Sequence, residues 1–315
     1  MKKRQLGNSG LEVAPLAFGG NVFGWTADEA TSFRLLDEFE EAGFDFIDTA
    51  DVYSRFAPGN EGGESETIIG KWAKQKGNRQ KVIIATKAGM DMGEGRKGLA
   101  KSYIMHAAED SLKRLQTDYI DLYQAHIDDP ETPLEESLEA FAKLIEQGKV
   151  RAIGASNYSA ERLSESLEVS QRLNIPRYES LQPLYNLYDR AEFEEKLEPL
   201  CLEKKIGVIS YFSLASGFLT GKYRSEDDLS KSPRGRRAKT YMNERGYRIL
   251  DALDTVAKRY SSTPARVSLA WLIARPSVTA PIASATSLEQ LNDLIEATRL
   301  ELDVSSIELL NQASA

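Results

Sequence analysis

The chain has little sulfur and little imidazole: one cysteine, Cys201, and two histidines, His106 and His126, in 315 residues. A lone cysteine cannot close an intrachain disulfide. Cys201 sits in Leu200-Cys201-Leu202 on a helical pattern, where a thiol packs as a small hydrophobe. Two histidines without clustered cysteines give a metal ion little to bind, so no metal site is expected. No apolar run approaches the roughly 18 residues that span a bilayer. The basic start Met1-Lys2-Lys3-Arg4 is not followed by the apolar stretch of a secretory leader. A cytoplasmic chain with no membrane partner is the expectation. The formal net charge of −8 lacks the basic excess of a nucleic-acid binder, so that partner is excluded too. Gly19-Gly20-Asn21-Val22-Phe23-Gly24 has the glycine spacing of a phosphate loop, but Trp25 stands where the lysine is needed. The turn instead reads as one that lets backbone approach a ligand, with Trp25 lining a substrate pocket.

What is present is a foldable chain, 41% hydrophobic and 28% charged. Short apolar, β-branched runs recur at Val13–Phe18, Phe44–Asp48, Lys81–Thr86, Tyr119–Gln124, Val150–Ala155, Tyr178–Gln182, Gly207–Tyr211 and Thr279–Ile282. Helical patterns separate them. Thr31–Glu41 is one; others open at Thr132-Pro133, Ser159 and Thr263-Pro264, and a last short helix is expected over Val304–Ala315. Strands alternating with helices give parallel βαβ units, and such units closing on themselves give a single α/β domain over 1–315, a (β/α)8 TIM barrel. Gly59–Gly63, Met90–Gly98 and Thr220–Tyr241 break the rhythm. All follow strand ends, so long loops are expected on the C-terminal face, where barrel enzymes carry their chemistry.

Polar groups gather at those strand ends: Asp48 and Tyr53 after the second strand, Lys87 after the third, His126 after the fourth. Standing alone, Asp48 reads as a helix cap and His126 as a satisfied core histidine. Together on one rim they suit carbonyl reduction. Oxygen that accepts hydride gains negative charge and must be protonated. A tyrosine, ordinarily protonated near neutrality, can supply the proton, and a neighbouring ammonium eases its release. Lys87 supplies that ammonium, Asp48 can hold it, and His126 can polarise the carbonyl.

Gly43-Phe44-Asp45-Phe46-Ile47-Asp48-Thr49-Ala50-Asp51-Val52-Tyr53, Ala85-Thr86-Lys87, His126, Gly154-Ala155-Ser156-Asn157, Gln182 and Leu219-Thr220-Gly221-Lys222-Tyr223 together resemble the aldo-keto reductase superfamily, along nearly the whole chain. The Leu219–Tyr223 stretch is similar to its bacterial branch, akin to potassium-channel β-subunit-like reductases. The resemblance implies an NADP(H)-dependent oxidoreductase acting on a small carbonyl or alcohol. It implies a catalytic set of Asp48, Tyr53, Lys87 and His126, with Trp25, Tyr53 and His126 at the substrate. It places Ser156, Asn157 and Gln182 on the carboxamide and Tyr211 against the nicotinamide ring, with Gly20 and Asn21 close by. It places the Leu214–Lys222 loop with Gly217 along the pyrophosphate, Phe212 and Ser213 at the cofactor, and Ser284, Thr286 and Gln290 at the 2′-phosphate ribose and adenine, assisted by Lys222 and Arg234.

The chain departs from the pattern in two places. Thr286 stands where many relatives carry a basic residue, and Leu294 where they carry an asparagine. The stretch Lys231–Lys239 either returns positive charge to the cofactor or is a solvated basic loop. Two other readings stand beside the reductase. A nicotinamide-binding regulatory or partner-binding protein would not need Tyr53 together with His126. A phosphate-sugar isomerase on the same barrel would want a carboxylate base and no Asn157–Gln182–Tyr211 set.

Overall fold

In a computed structural model, residues 2–232 and 235–315 are described. Eight strands lie side by side and parallel: β3 (Ala17–Gly19), β4 (Phe46–Asp48), β5 (Ile83–Ala88), β6 (Ile120–Ala125), β7 (Val150–Ser156), β8 (Tyr178–Gln182), β9 (Gly207–Val208) and β10 (Ile282–Ala283). β10 pairs with β3 through Ile282 opposite Ala17. The sheet closes on its other edge where Thr279 N donates to Val208 O (2.8 Å) and Ile282 N to Ser210 O (2.8 Å). This is the (β/α)8 barrel that the alternating pattern predicts.

Helices α1 (Glu29–Glu41), α2 (Glu64–Lys76), α3 (Lys101–Leu115), α4 (Leu134–Glu146), α5 (Ala160–Leu173) and α6 (Glu198–Lys204) follow successive strands. A four-residue helix α7 (Gly235–Ala238), then α8 (Glu244–Arg259) and α9 (Pro264–Ile273), lie between β9 and β10. α10 (Leu288–Ala297) and α11 (Val304–Ser314) end the chain, with α11 packed on α8. Capping is local and readable. Asp28, Ser159, Thr263 and Ser287 each accept the backbone N–H three residues on, at the starts of α1, α5, α9 and α10. Thr132 is the exception: its hydroxyl donates to Asp129 Oδ2 (2.7 Å) and α4 begins after Pro133.

The first predicted strand splits. Val13 belongs to an antiparallel hairpin, β1 (Arg4–Gln5) with β2 (Glu12–Val13), and only Ala17–Gly19 joins the barrel. Leu6 and Val13 from this hairpin plug the barrel floor. They sit in one cluster with Phe46, Ala85, Leu122 and Ala152 from the strands and with Ile209 and Ala280 beside β9 and β10. A larger core fills the space between the sheet and the helices, including Ile47, Ile84, Tyr123, Phe141 and Trp271. The Thr220–Tyr241 insertion carries tight helical turns at Glu226–Lys231 and Lys239–Tyr241 on either side of α7. No helix among the described residues is long and apolar enough to cross a membrane.

Candidate active site

The two-residue period of a strand sets the site. Residues two apart face the same side, so above the inward Phe46, Ala85 and Leu122 stand Asp48, Lys87 and Gln124. The floor is apolar and the top layer is polar. His126 follows Gln124 just past the end of β6, its N–H bonded to Ala88 O (2.9 Å). Tyr53 comes from the loop after β4, which is pinned to β5 by Thr49 N to Ala85 O (2.8 Å) and Asp51 N to Lys87 O (3.1 Å).

Lys87 is completely buried. Its ammonium donates to Asp48 Oδ2 (2.8 Å), to Thr49 O (2.7 Å) and to Tyr53 OH (2.9 Å). All three protons of the ammonium are therefore used. Burial pulls its pKa down, and the adjacent Asp48 carboxylate opposes that pull. Asp48 is buried as well, and its second oxygen accepts from Gln182 Nε2 (2.8 Å). The Tyr53 hydroxyl also reaches Asp48 Oδ2, at 3.2 Å. The rings of Tyr53 and His126 meet edge-on, centroids 5.9 Å apart. His126 is buried, and burial, reinforced by the Lys87 charge, holds its pKa well below 6.5, so the imidazole is neutral near physiological pH. All four residues singled out in the sequence thus converge on one point of the rim.

A second network adjoins it. Ser156 Oγ donates to Gln182 O (2.9 Å), Asn157 Nδ2 to His126 O (2.9 Å), and Tyr211 OH to Asn157 Oδ1 (2.7 Å). Gly154 is needed here: a Cβ would stand 2.1 Å from Ser180 Oγ. Beyond Tyr211 the backbone is strained, with Phe212, Ala215 and Ser216 at φ of 52, 47 and 57° and Gly217 at 89°. Such left-handed runs cost energy in non-glycine residues and gather at ligand sites. Successive turns of this kind can present N–H groups to an anion. The Lys222 ammonium lies alongside, 3.2 Å from where a Cβ on Gly217 would be. Ser213, in the same run, donates its hydroxyl to Ser210 O (3.1 Å). The Leu214 carbonyl accepts from Gly217 N (2.8 Å) and Leu219 N (3.2 Å).

Ser284 donates to Asn21 Oδ1 (2.6 Å), joining the loop after β10 to the Gly20–Val22 turn after β3. Gln290 Oε1 accepts from Thr286 N (2.9 Å) and Thr286 Oγ1 (3.1 Å), which fixes this loop at the start of α10. Leu294 is buried, so the position that departs from the family pattern serves the core. Arg237 stands over the Phe212 ring, 5.9 Å from its centroid. Arg234 lies outside the described residues. Trp25 packs edge-on against Phe56, centroids 4.7 Å apart, bridging the loops after β3 and β4.

Sequence reading passed over several groups. Thr49 enters through its carbonyl, which no side-chain pattern reveals. Gln124, both of whose amide atoms are buried without a partner among the described residues, was flagged by nothing except its place two residues before His126. Asp51 is the other omission. It is buried, one oxygen lacks a partner among the described residues, and burial beside Glu66 pushes its pKa up to about 8. The remaining polar outliers are quiet: Cys201 is buried and its thiol is pushed up to about 12, and His106 is exposed beside Asp110.

A parallel (β/α)8 barrel with a buried Lys–Asp pair, a tyrosine and a histidine at the C-terminal ends of its strands defines a class of rim-sited barrel enzymes. Comparison with known sequences narrows the class. The family model "Aldo/keto reductase family" matches residues 15–315. The chain is 36% identical over 318 residues to the uncharacterized oxidoreductase YrpG of Bacillus subtilis, covering 99% of this chain and 95% of that one. It is 35% identical over 314 residues to the aldo-keto reductase YhdN of the same organism, covering 95% and 89%. It is 31% identical over 307 residues to a probable voltage-gated potassium channel subunit beta of Oryza sativa subsp. japonica, covering 94% and 91%. The chain belongs to the aldo/keto reductase family, a family of oxidoreductases that generally use NAD(P)H.

Proposed function

We propose that this chain, as one domain in the cytoplasm, is an NADP(H)-dependent reductase of aldehydes or ketones, reversible toward the alcohol, with Tyr53 as the proton donor. One observation carries the reading: Lys87 Nζ touches Asp48 Oδ2 and Tyr53 OH at once, at 2.8 and 2.9 Å, in a fully buried position. The nicotinamide, when bound, supplies the hydride.

The chain's own groups handle the proton. As charge grows on the carbonyl oxygen, the phenolic proton of Tyr53 passes to it, and the phenolate left behind is stabilised by the Lys87 ammonium. Asp48 keeps that ammonium charged and aimed, and Gln182 keeps Asp48 from rotating. His126, neutral and edge-on to Tyr53, polarises the carbonyl as a hydrogen-bonding group and adds no charge. The Tyr53 hydroxyl donates to Asp48 Oδ2 at 3.2 Å, a long bond that a substrate oxygen can displace.

The groups suited to the cofactor are those of the second network. Ser156, Asn157 and Gln182 suit a carboxamide, and the half-exposed Tyr211 ring suits stacking on a flat heterocycle. The strained backbone from Phe212 to Gly217 with Lys222 beside it suits a pyrophosphate. In this reading Gly20, Asn21, Ser284, Thr286 and Gln290, on the loops after β3 and β10 that Ser284 and Asn21 join, take the ribose end by exchanging the hydrogen bonds they make with one another, with charge from Lys222 and Arg234. Turnover of an aldehyde, ketone and sugar panel with NADPH and with NADH tests the proposal. Absence of turnover for every carbonyl with both cofactors would reject it.

A further inference from the structure

We infer that the barrel lumen has a built-in water site between Gln124 and Ser180, and that Gln124 with this water is a positioning element for Lys87. The water site stands on the barrel alone; the positioning role rests on the reductase reading above. Sheet pairing sets out the row. Lys87 lies opposite Gln124, Gln124 opposite Gly154, Gly154 opposite Ser180, and Ser180 opposite Gly207. Gln124 and Gly154 come two residues after the lumen-facing Leu122 and Ala152, so they face inward too. The row thus follows the inner wall from Lys87 in the catalytic layer to Gly207 at the floor, where a Cβ would stand 2.6 Å from Leu6 Cδ1. Ser180 reaches this row through a bulge. Tyr178 faces outward, edge-on to Phe141 and Tyr158 with centroids 6.0 and 5.7 Å away. A regular strand would send Ser180 the same way. Between the pairs Ile153–Tyr178 and Gly154–Ser180, however, β8 holds one extra residue, Glu179, and the facing inverts.

Gly154 leaves the space. A Cβ there would stand 2.1 Å from Ser180 Oγ and 3.3 Å from Gln124 Cγ, so the two side chains approach one another over a residue that has none. Both are completely buried, and Gln124 Oε1, Gln124 Nε2 and Ser180 Oγ have no hydrogen-bond partner among the described residues. Buried amides and hydroxyls left bare are unfavourable, and folded interiors satisfy such groups with ordered water that makes about three hydrogen bonds. A water here finds a donor in Gln124 Nε2, an acceptor in Gln124 Oε1, and either in Ser180 Oγ. The consequence falls on Lys87, the neighbour of Gln124 in the row. Its ammonium touches Asp48 and Tyr53, and Asp51, Glu66 and His126 are the other titratable groups whose charges bear on it. Burial works against its charge. An amide and a water on the adjoining strand supply dipoles that offset part of that penalty, where a dry lumen would supply none.

A crystal structure of the full chain tests the site directly. Density for a water at about 2.7–3.2 Å from both Gln124 and Ser180 is expected. A direct Gln124–Ser180 hydrogen bond with no water between them overturns it. Gln124→Met and Ser180→Ala should each lower Tm by several degrees. The double variant removes all three polar atoms and should lose less than the sum of the two, so additive losses overturn a shared water. Positioning is read by single-turnover reduction of an aldehyde that the parent turns over, across pH. An apolar side chain in place of Gln124 disfavours the Lys87 charge further, so the ammonium is lost earlier as pH rises. The hydride rate of Gln124→Met should therefore fall by half at a pH about 1 below the parent's, and Ser180→Ala should move in the same direction by less. An alkaline limb unmoved in both variants overturns the positioning role alone. If the parent reduces no carbonyl, that role falls with the reductase reading, and the crystal and the Tm cycle still decide the water site.

Discussion

Replacing Lys87 by methionine keeps much of the side chain's length and removes its charge. Three donations disappear: to Asp48 Oδ2, Tyr53 OH and Thr49 O. The stranded Thr49 carbonyl costs about 1–3 kcal/mol if no water reaches it. Breaking a buried ion pair from one side costs about 3–5 kcal/mol when the surviving charge is uncompensated. Asp48 is not left bare, because Gln182 and Tyr53 still donate to it and it can take up a proton. The loss should therefore sit near the lower end, about 3 kcal/mol, visible as a Tm lowered by several degrees. The chemical loss should be larger. Without the ammonium, the Tyr53 phenolate has only the Asp48 carboxyl beside it, and the hydride step should slow by about 10²–10⁴-fold. Single-turnover loss of nicotinamide absorbance, measured on protein shown to be folded, separates the two effects. A folded Lys87→Met variant with an unchanged hydride step would show that Lys87 does not tune Tyr53.

Tyr53→Phe should remove most turnover, by about 10²–10⁴-fold, while nicotinamide binding measured by fluorescence survives, since only the phenolic proton is lost. Near-normal turnover would take Tyr53 out of the mechanism. Asp51 gives a pH-dependent prediction. Its folded pKa is raised from 3.8 to about 8, so its contribution to stability is fully present below 3.8 and is lost as pH rises toward 8. Asp51→Asn should abolish that slope, so the variant gains in Tm relative to the parent as pH climbs through this window, and a difference independent of pH would refute the shift. For the cofactor, Arg234→Ala should weaken NADPH by about tenfold or more and NADH much less, because charge-assisted hydrogen bonds to the extra phosphate are worth about 1.5–3 kcal/mol. Equal parent affinities for the two cofactors would end the NADP(H) assignment.

Strand and helix alternation was legible because each barrel strand is short, apolar and bounded by a cap or glycine. The boundaries were less so. Val13 looked continuous with Phe18, yet Pro15 intervenes and lacks a backbone N–H for a sheet ladder, so the two halves serve different sheets. Tyr211 was read as the end of a strand, and it lies past β9, held by a single bridge to Leu184. The convergence of Asp48, Tyr53, Lys87 and His126 could be anticipated because all four lie at or just past strand ends and strand ends share a rim. Contacts through backbone atoms could not, and neither could the unpartnered amide of Gln124, because burial is a property of the assembled barrel. Thr132 shows the limit of motif reading. A threonine before proline has the chemistry of a cap, but Asp129 takes its hydroxyl first.

The floor hairpin has a consequence for synthesis. Arg4 donates to Val278 O (2.9 Å) and Ile273 O (2.8 Å), and a Cβ on Gly7 would stand 2.2 Å from Glu179 O. The hairpin thus finds its hydrogen-bond partners in segments made much later than itself. Until the β10 region emerges, β3 lacks one neighbour and the floor cluster lacks Ala280 and Ile282. Leu6 and Val13 then lack part of their apolar cover. Domains whose early segments depend on distant late ones close slowly and expose apolar surface meanwhile. A nascent chain stalled short of Ile282 should therefore hold a half-built, chaperone-binding sheet, and release of the final segment should act as the latch that shuts the barrel.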